Sequence, residues 1–208
     1  FSSLKLIADA LAYQMALDQQ MQLQQKKVKV AEKTIDKLYR QAQQMENLAH
    51  TDELTGLDNR RSFQSRFEQY QLQAVSRGSA LALMMIDIDD FKQFNDEFGH
   101  ETGDAIIKIV SDGLKHIARS TDIPCRVGGD EFILAALNTD SEGLKLLAER
   151  LSEYVKLHSN KLQRPCSLSI GIACSRHGAG EELIRFADEA LYMSKASGRD
   201  ATSVYQPD

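Results

Sequence analysis

Two glycines, Gly128 and Gly129, separate two apolar runs: Ile123-Pro124-Cys125-Arg126-Val127 before them, Phe132-Ile133-Leu134-Ala135-Ala136-Leu137 after. Glycine takes positive φ without a Cβ clash, so a Gly-Gly pair between strand-like runs predicts a tight hairpin. The hairpin sets two strands side by side and brings Asp130 and Glu131 to the start of the return strand. Adjacent carboxylates repel, so the pattern calls for a positive partner, and a hard divalent cation with oxygen ligands fits. A second acidic group, Asp87-Ile88-Asp89-Asp90, closes another apolar run, Leu81-Ala82-Leu83-Met84-Met85-Ile86. If these strands are neighbours, their acids share one end of a sheet, where a metal and a nucleotide can sit.

The chain has 208 residues, enough for one domain with a real core plus an appendage. Its net charge of −5 argues against a nucleic-acid binder. Three cysteines, Cys125, Cys166 and Cys174, lack metal-type spacing and read as reduced, packed thiols of a cytoplasmic protein. No run is long and apolar enough to span a membrane, and no secretory signal is visible. The chain opens on Phe1 rather than Met, which reads as a piece of something longer, such as the cytoplasmic part of a sensor protein.

Residues 1–50 contain neither Gly nor Pro and read as one long helix. Apolar positions recur three and four apart: Ile7, Ala10, Leu17, Met21, Val28, Ala31, Ile35, Leu38, Ala42, Met45 and Ala49. Gln14 and Gln24 fill the gaps in this stripe. A stripe sustained over about six heptads predicts a coiled coil. The competing reading is an amphipathic helix packed on its own domain. From residue 7 to 49 the helix would reach roughly 65 Å, too long to lie on a domain of this size. The more apolar stretch Leu4–Ala12 reads either as the last helix of an upstream module, where it resembles a GAF-type sensor, or as a plain helix start. The organisation is therefore a signalling helix over 1–50 and a globular domain over 51–208.

The rest alternates: helix 59–77, strand 80–87, helix 103–119, strands 123–127 and 131–137, helix 141–158, strand 166–173, helix 180–197. That order predicts an α/β fold with one mixed central sheet and helices on its faces.

Five ordered motifs carry a family resemblance over about 52–200. They are Asp52-Glu53-Leu54-Thr55-Gly56-Leu57-Asp58-Asn59-Arg60-Arg61, the segment Asp87 to Asp104, Gly128-Gly129-Asp130-Glu131-Phe132, Ser169-Ile170-Gly171-Ile172-Ala173, and Ala187-Asp188-Glu189-Ala190-Leu191-Tyr192 through Lys195, Gly198 and Arg199. Together they resemble the GGDEF family, the diguanylate cyclases. The resemblance implies a ferredoxin-like fold, similar to the palm of the class III nucleotidyl cyclases. It implies condensation of two GTP into cyclic di-GMP across a homodimer, which the N-terminal coiled coil would assemble.

The resemblance also distributes roles. Asp87, the carbonyl of Ile88, Asp130 and Glu131 would hold Mg²⁺, or Mn²⁺ in its place, and Asp130 is the candidate general base. Asp90, Phe91 and Lys92 form the turn after the strand, where backbone N–H groups and a cation suit phosphate. Phe91 and Phe94 read as core packing. Asn95 and Asp104 match guanine readers, since a carboxylate accepts from the N1–H and N2–H₂ donors of guanine. Gly99 and Gly103 bound a tight loop, and His100 matches a substrate contact. Lys195 and Arg199, four apart near the end of the last helix, would meet the triphosphate. Taken alone, Asp104 reads as a helix cap and the last pair as cations at a helix C-terminus. Arg119-Ser120-Thr121-Asp122 ends five residues before the Gly-Gly turn, the family's inhibitory product site, so cyclic di-GMP is implied as inhibitor as well as product. Asp200 departs from the Asn usual after Gly-Arg in the family.

Two other classes compete with the cyclase. One is a catalytically inactive receptor for GTP or cyclic di-GMP, against which the intact Asp87 and Gly-Gly-Asp-Glu-Phe argue. The other is a coiled-coil assembly module with an inert head, which would show no GTP-dependent thermal shift.

Overall fold

A computed structural model describes residues 50–162, 164–176 and 180–206, together with nine scattered residues between Met15 and Lys37. Those nine are helical and exposed; Met21 and Ile35, both on the apolar stripe, are 54% and 64% exposed. The remainder of the stripe lies outside the described residues. The chain divides into two compact units, Phe1–Asn47 and Leu48–Asp208. Among the described residues no helix is long and apolar enough to cross a membrane.

The second unit is built on a six-stranded sheet. Its strands are β1 (Asp58–Asn59), β2 (Leu81–Ile88), β3 (Ile123–Gly128), β4 (Glu131–Leu137), β5 (Leu168–Cys174) and β6 (Ala201–Val204). Their spatial order is β1-β3-β4-β2-β5-β6. The four central strands pair antiparallel, and the short outer strands add in parallel, β1 on β3 and β6 on β5. This is the expected mixed sheet. β2 is buried along nearly its whole length because helices cover both faces, so it reads as a continuous apolar run.

The helices are α1 (Arg60–Arg77), α2 (Phe91–Phe98), α3 (His100–Ile117), α4 (Ser141–Ser159) and α5 (Glu181–Ala196). Side-chain alternation sends Met84, Ile86, Ile88, Phe132 and Leu134 to one face of the sheet, against Ile106, Val110 and Leu114 of α3 and Leu144, Leu151 and Val155 of α4. Leu83, Ile133 and Ala135 face the other way, against Phe63 and Phe67 of α1 and Leu183 and Ala187 of α5. Caps explain the helix boundaries. Asn59 accepts from the Ser62 N–H at 3.0 Å, Asp140 from the Gly143 N–H at 2.9 Å, and Gly78 closes α1 at φ 61°.

Three expectations need correction. The segment after β2 is not a turn but the eight-residue helix α2, entered through Asp90 at φ 53°. The following helix begins at His100 rather than 103, so Gly103 lies inside it and Gly99 alone, at φ 84°, makes the bend. β6 was not foreseen. All three cysteines are buried, as expected of packed thiols. Burial pushes the Cys125 and Cys166 thiols up to about 12.

Candidate active site at the ends of two central strands

The site begins with register. β2 and β4 are neighbours, and Asp87 stands directly opposite Glu131. The hairpin that delivers Glu131 does not use two left-handed glycines. Gly128 ends β3 with ordinary φ, and only Gly129 is left-handed, at φ 51°. A register shift between Arg126 and Gly128 takes up the mismatch.

Arg126 braces this turn. Its guanidinium donates to the Gly129 carbonyl at 2.7 and 3.0 Å and reaches both Asp52 carboxylate oxygens at 3.2 and 3.3 Å. Burial pushes the Asp52 carboxyl up, but hydrogen bonds from Thr55 and the charge and hydrogen bonds of Arg126 outweigh it and hold Asp52 below its ordinary value. Asp52 and Arg126 both fall in quoted runs, yet nothing in their spacing marks them as partners.

Asp87 is buried, and its Oδ2 pairs with Lys195 Nζ at 2.7 Å. Burial raises its carboxyl above the ordinary value, Lys195 pulls it down, and the nearby Asp130 and Glu131 raise it further. A group of acids in which burial and mutual repulsion outweigh one lysine is one that a divalent cation would relieve. The Ile88 N–H donates to the Asp130 carbonyl at 3.3 Å, which joins the two strand ends through the backbone. Among the described residues, however, no three His, Cys, Asp or Glu side chains are gathered closely enough to hold a metal as they stand. The reason is visible in the hairpin: Asp130 is half-buried, and Glu131 is exposed and turns toward a cleft of about 490 Å³ between α1 and α5, floored by Phe63, Phe67 and Ile133.

Lys195 is placed by the packing of α5 on β5. A Cβ at Gly171 would lie 2.1 Å from the Leu191 backbone nitrogen, so only glycine admits the helix this close. Ser194 then donates to the Ile170 carbonyl at 2.7 Å, one residue before Lys195. Arg199 is not on the helix, which ends at Ala196; it stands in the following turn at φ 66°, with Nε 3.3 Å from Asp90 Oδ1. The two cations thus reach the end of β2 from different backbone settings.

Asn95 lies on α2 with Oδ1 buried and unpartnered. A Cβ on Gly103 would sit 1.8 Å from that oxygen, so only glycine there lets the Asn95 amide pack against α3. An orphaned buried acceptor fits a base edge that presents N–H donors. Asp104 and His100 are exposed at the start of α3, and Lys92 is exposed on α2. Phe94 is buried and Phe91 packs against the core, as expected.

Arg119 and Asp122 lie apart from this site, in the turn between α3 and β3. Arg119 is exposed, while Asp122 is buried with Oδ2 accepting the Arg119 N–H at 2.7 Å and Oδ1 unpartnered. Tyr70 of α1 ties the same turn through its hydroxyl to the Thr121 carbonyl. Asp89, absent from the expected site, accepts three hydrogen bonds, from Ser167, Ser169 and the Asp200 N–H.

The family described as "Diguanylate cyclase, GGDEF domain" matches residues 49–201. The chain is 37% identical over 160 residues to cyclic di-GMP phosphodiesterase NbdA of Pseudomonas aeruginosa, covering 75% of this chain and 20% of that protein. It is 37% identical over 162 residues to diguanylate cyclase DgcS of Shewanella oneidensis, covering 77% of this chain and 54% of that protein. It therefore spans only part of the length of these relatives. The solved coiled coil and GGDEF domain of DgcB from Caulobacter crescentus, in complex with c-di-GMP, superposes with a TM-score of 0.74 at 29% identity, covering 86% of this chain and 98% of that one.

Proposed function

Because the chain belongs to the GGDEF, diguanylate cyclase family, we propose that it condenses two molecules of GTP into cyclic di-GMP and two of pyrophosphate. The observation that carries this reading is the alignment of Asp87 with Glu131 at adjacent strand ends, with Lys195 already drawn onto Asp87.

In this reading Lys195 and Arg199 bind the triphosphate, helped by Lys92 and by the backbone N–H groups of Asp90 and Phe91. Asn95 and Asp104 read the guanine edge, and His100 borders the nucleotide. Each ribose 3′-oxygen attacks the α-phosphorus of the opposite GTP. An O–P bond forms, the bond to the pyrophosphate oxygen breaks, and the hydroxyl proton passes to the Asp130 carboxylate. Held by Asp87, the Ile88 carbonyl, Asp130 and Glu131, Mg²⁺ or Mn²⁺ would supply charge neutralisation at the phosphates. One chain carries one nucleotide site, so turnover needs two copies facing each other. The N-terminal stripe would supply that pairing.

Arg119 and Asp122 would bind the product and restrain the enzyme. The unpartnered Oδ1 of Asp122 supports an acceptor role there.

The test is incubation of the purified chain with GTP and Mg²⁺, followed by chromatography of the nucleotides. Cyclic di-GMP is the expected product. Unreacted GTP from a demonstrably dimeric chain would overturn the reading in favour of a receptor.

A further inference from the structure

Asp89 sits between Asp87 and Asp90, yet its surroundings differ from theirs. It is only 7% exposed, and no lysine or arginine pairs with it among the described residues. Its Oδ1 accepts from Ser169 Oγ at 2.6 Å, and its Oδ2 accepts from Ser167 Oγ at 2.6 Å and from the Asp200 backbone N–H at 3.0 Å. A buried carboxylate without a counter-charge is tolerated when donors surround it. With its lone pairs directed at protein donors, Asp89 is poorly placed to serve as a metal ligand.

The Asp200 bond has a particular consequence. Gly198, Arg199 and Asp200 follow one another at φ 113°, 66° and 46°. Residues with a Cβ seldom take this region, and two in succession need the surroundings to hold them there. The helix end holds the first two through the Gly198 N–H on the Lys195 carbonyl at 3.4 Å and the Arg199 N–H on the Ser194 carbonyl at 3.2 Å; Asp200 itself is held by the Asp89 carboxylate on its N–H and by its own carboxylate on Lys156 Nζ at 2.7 Å. Of the two ties on Asp200, the Asp89 bond is half-buried and the Lys156 pair exposed, so water competes less with the Asp89 bond. Arg199 is carried inside this restrained turn and emerges beside Asp90.

We propose that Asp89 is a positioning residue: through the Asp200 amide it fixes the left-handed turn that presents Arg199 to the nucleotide triphosphate. The inference rests on the assignment of Arg199 to the triphosphate. It adds that affinity for the β- and γ-phosphates depends on a buried acid that never touches them.

The test is a double-mutant cycle read by calorimetry. The ligands are a GTP analogue with a methylene bridge between its α- and β-phosphates, and GMP, which lacks the outer phosphates; both are used with Mg²⁺. Asp89→Ala should weaken the analogue by about ten-fold, the loss of one charge-assisted hydrogen bond, and leave GMP unchanged. In an Arg199→Ala background the same change should cost less than about two-fold, because the residue through which Asp89 acts is gone. Asp89→Asn should restore binding, since a carboxamide oxygen can face Ser167 and the Asp200 N–H while its amide group faces Ser169. If Asp89→Ala does not fold, Asp89→Ser leaves a hydroxyl for the two serines and withdraws the acceptor from Asp200, so the same cycle can be run. Equal losses in both backgrounds, or equal weakening of analogue and GMP, would mean a merely structural role and overturn the inference. A wild-type chain that bound the analogue while Asp89→Ala bound it equally well would sink the inference alone. A wild-type chain that bound no analogue would sink the nucleotide reading and this inference with it.

Discussion

Lys195 Nζ rests 2.7 Å from Asp87 Oδ2, so a cation assigned to the triphosphate is ion-paired to an acid assigned to the metal. In this arrangement the lysine holds the place that a divalent cation would take. A cation held there would release Lys195 for the nucleotide, which would couple metal entry to phosphate binding. Lys195→Ala should leave the fold intact, because its side chain is 39% exposed, and should weaken GTP binding by about ten-fold with Mg²⁺ present. Calorimetry with and without Mg²⁺ checks this.

Asp87→Asn separates stability from chemistry. A carboxyl raised in the folded chain makes the folded state hold its proton longer than the unfolded one. Its contribution to stability is therefore present in acid and lost as pH rises through the raised value. Without metal, Asp87→Asn should melt higher than wild type at neutral pH, with the gain vanishing in acid, while turnover falls by at least about a hundred-fold. Melting curves across pH and a product assay report the two effects separately.

The Asp52–Arg126 brace should show the opposite pH sign. Asp52 is held below its ordinary value, so its contribution is present above that value and lost as pH falls through the folded one. Arg126→Ala should cost about 2 kcal/mol at neutral pH and flatten the acid limb of the stability curve. It should also loosen the Gly129 turn and lower turnover more than thermal stability alone explains. Urea titrations at several pH values, set beside rates, give the comparison.

Gly171→Ala should be among the most damaging single changes in the sheet. The added methyl would meet the Leu191 nitrogen at 2.1 Å and the Ala187 carbonyl at 2.2 Å, both backbone atoms that cannot rotate away. A loss of about 3 kcal/mol or more is expected. Any folded remainder should bind GTP weakly, because α5 carries Lys195.

Cys125 and Cys166 should resist thiol reagents at pH 8 in the folded chain and react only on unfolding, since burial holds both thiols up at about 12. Timed labelling with and without denaturant decides the point. Because the unfolded chain ionises these thiols first, stability should fall as pH climbs from the ordinary thiol range toward that value.

Much of the fold was legible because its signals are local. The Gly-Gly interruption and its flanking apolar runs located β3 and β4, and apolar run lengths located β2 and β5. α2 was missed although Phe91, Phe94 and Phe98 keep helical spacing, because Asp90 enters it through a left-handed residue and the segment is only eight residues long. β6 is four residues without a strong pattern, and only its pairing with β5 defines it. Within the site, Asp87, Asp130 and Glu131 stood out by charge at strand ends. Asp89 stands in the same acidic run, but its role is not legible there, because its donors lie 78 to 111 positions away and nothing along the chain marks Ser167, Ser169 or the Asp200 amide as its partners.

The outermost strands, β1 and β6, are two and four residues long. A protein proposed to work only when two copies meet also runs the risk of meeting wrongly, since an open strand invites another to zip onto it. Edges this brief give a second copy little to hold. Self-association by sheet extension is thereby disfavoured, and encounters between copies are left to whatever surface brings their nucleotides together.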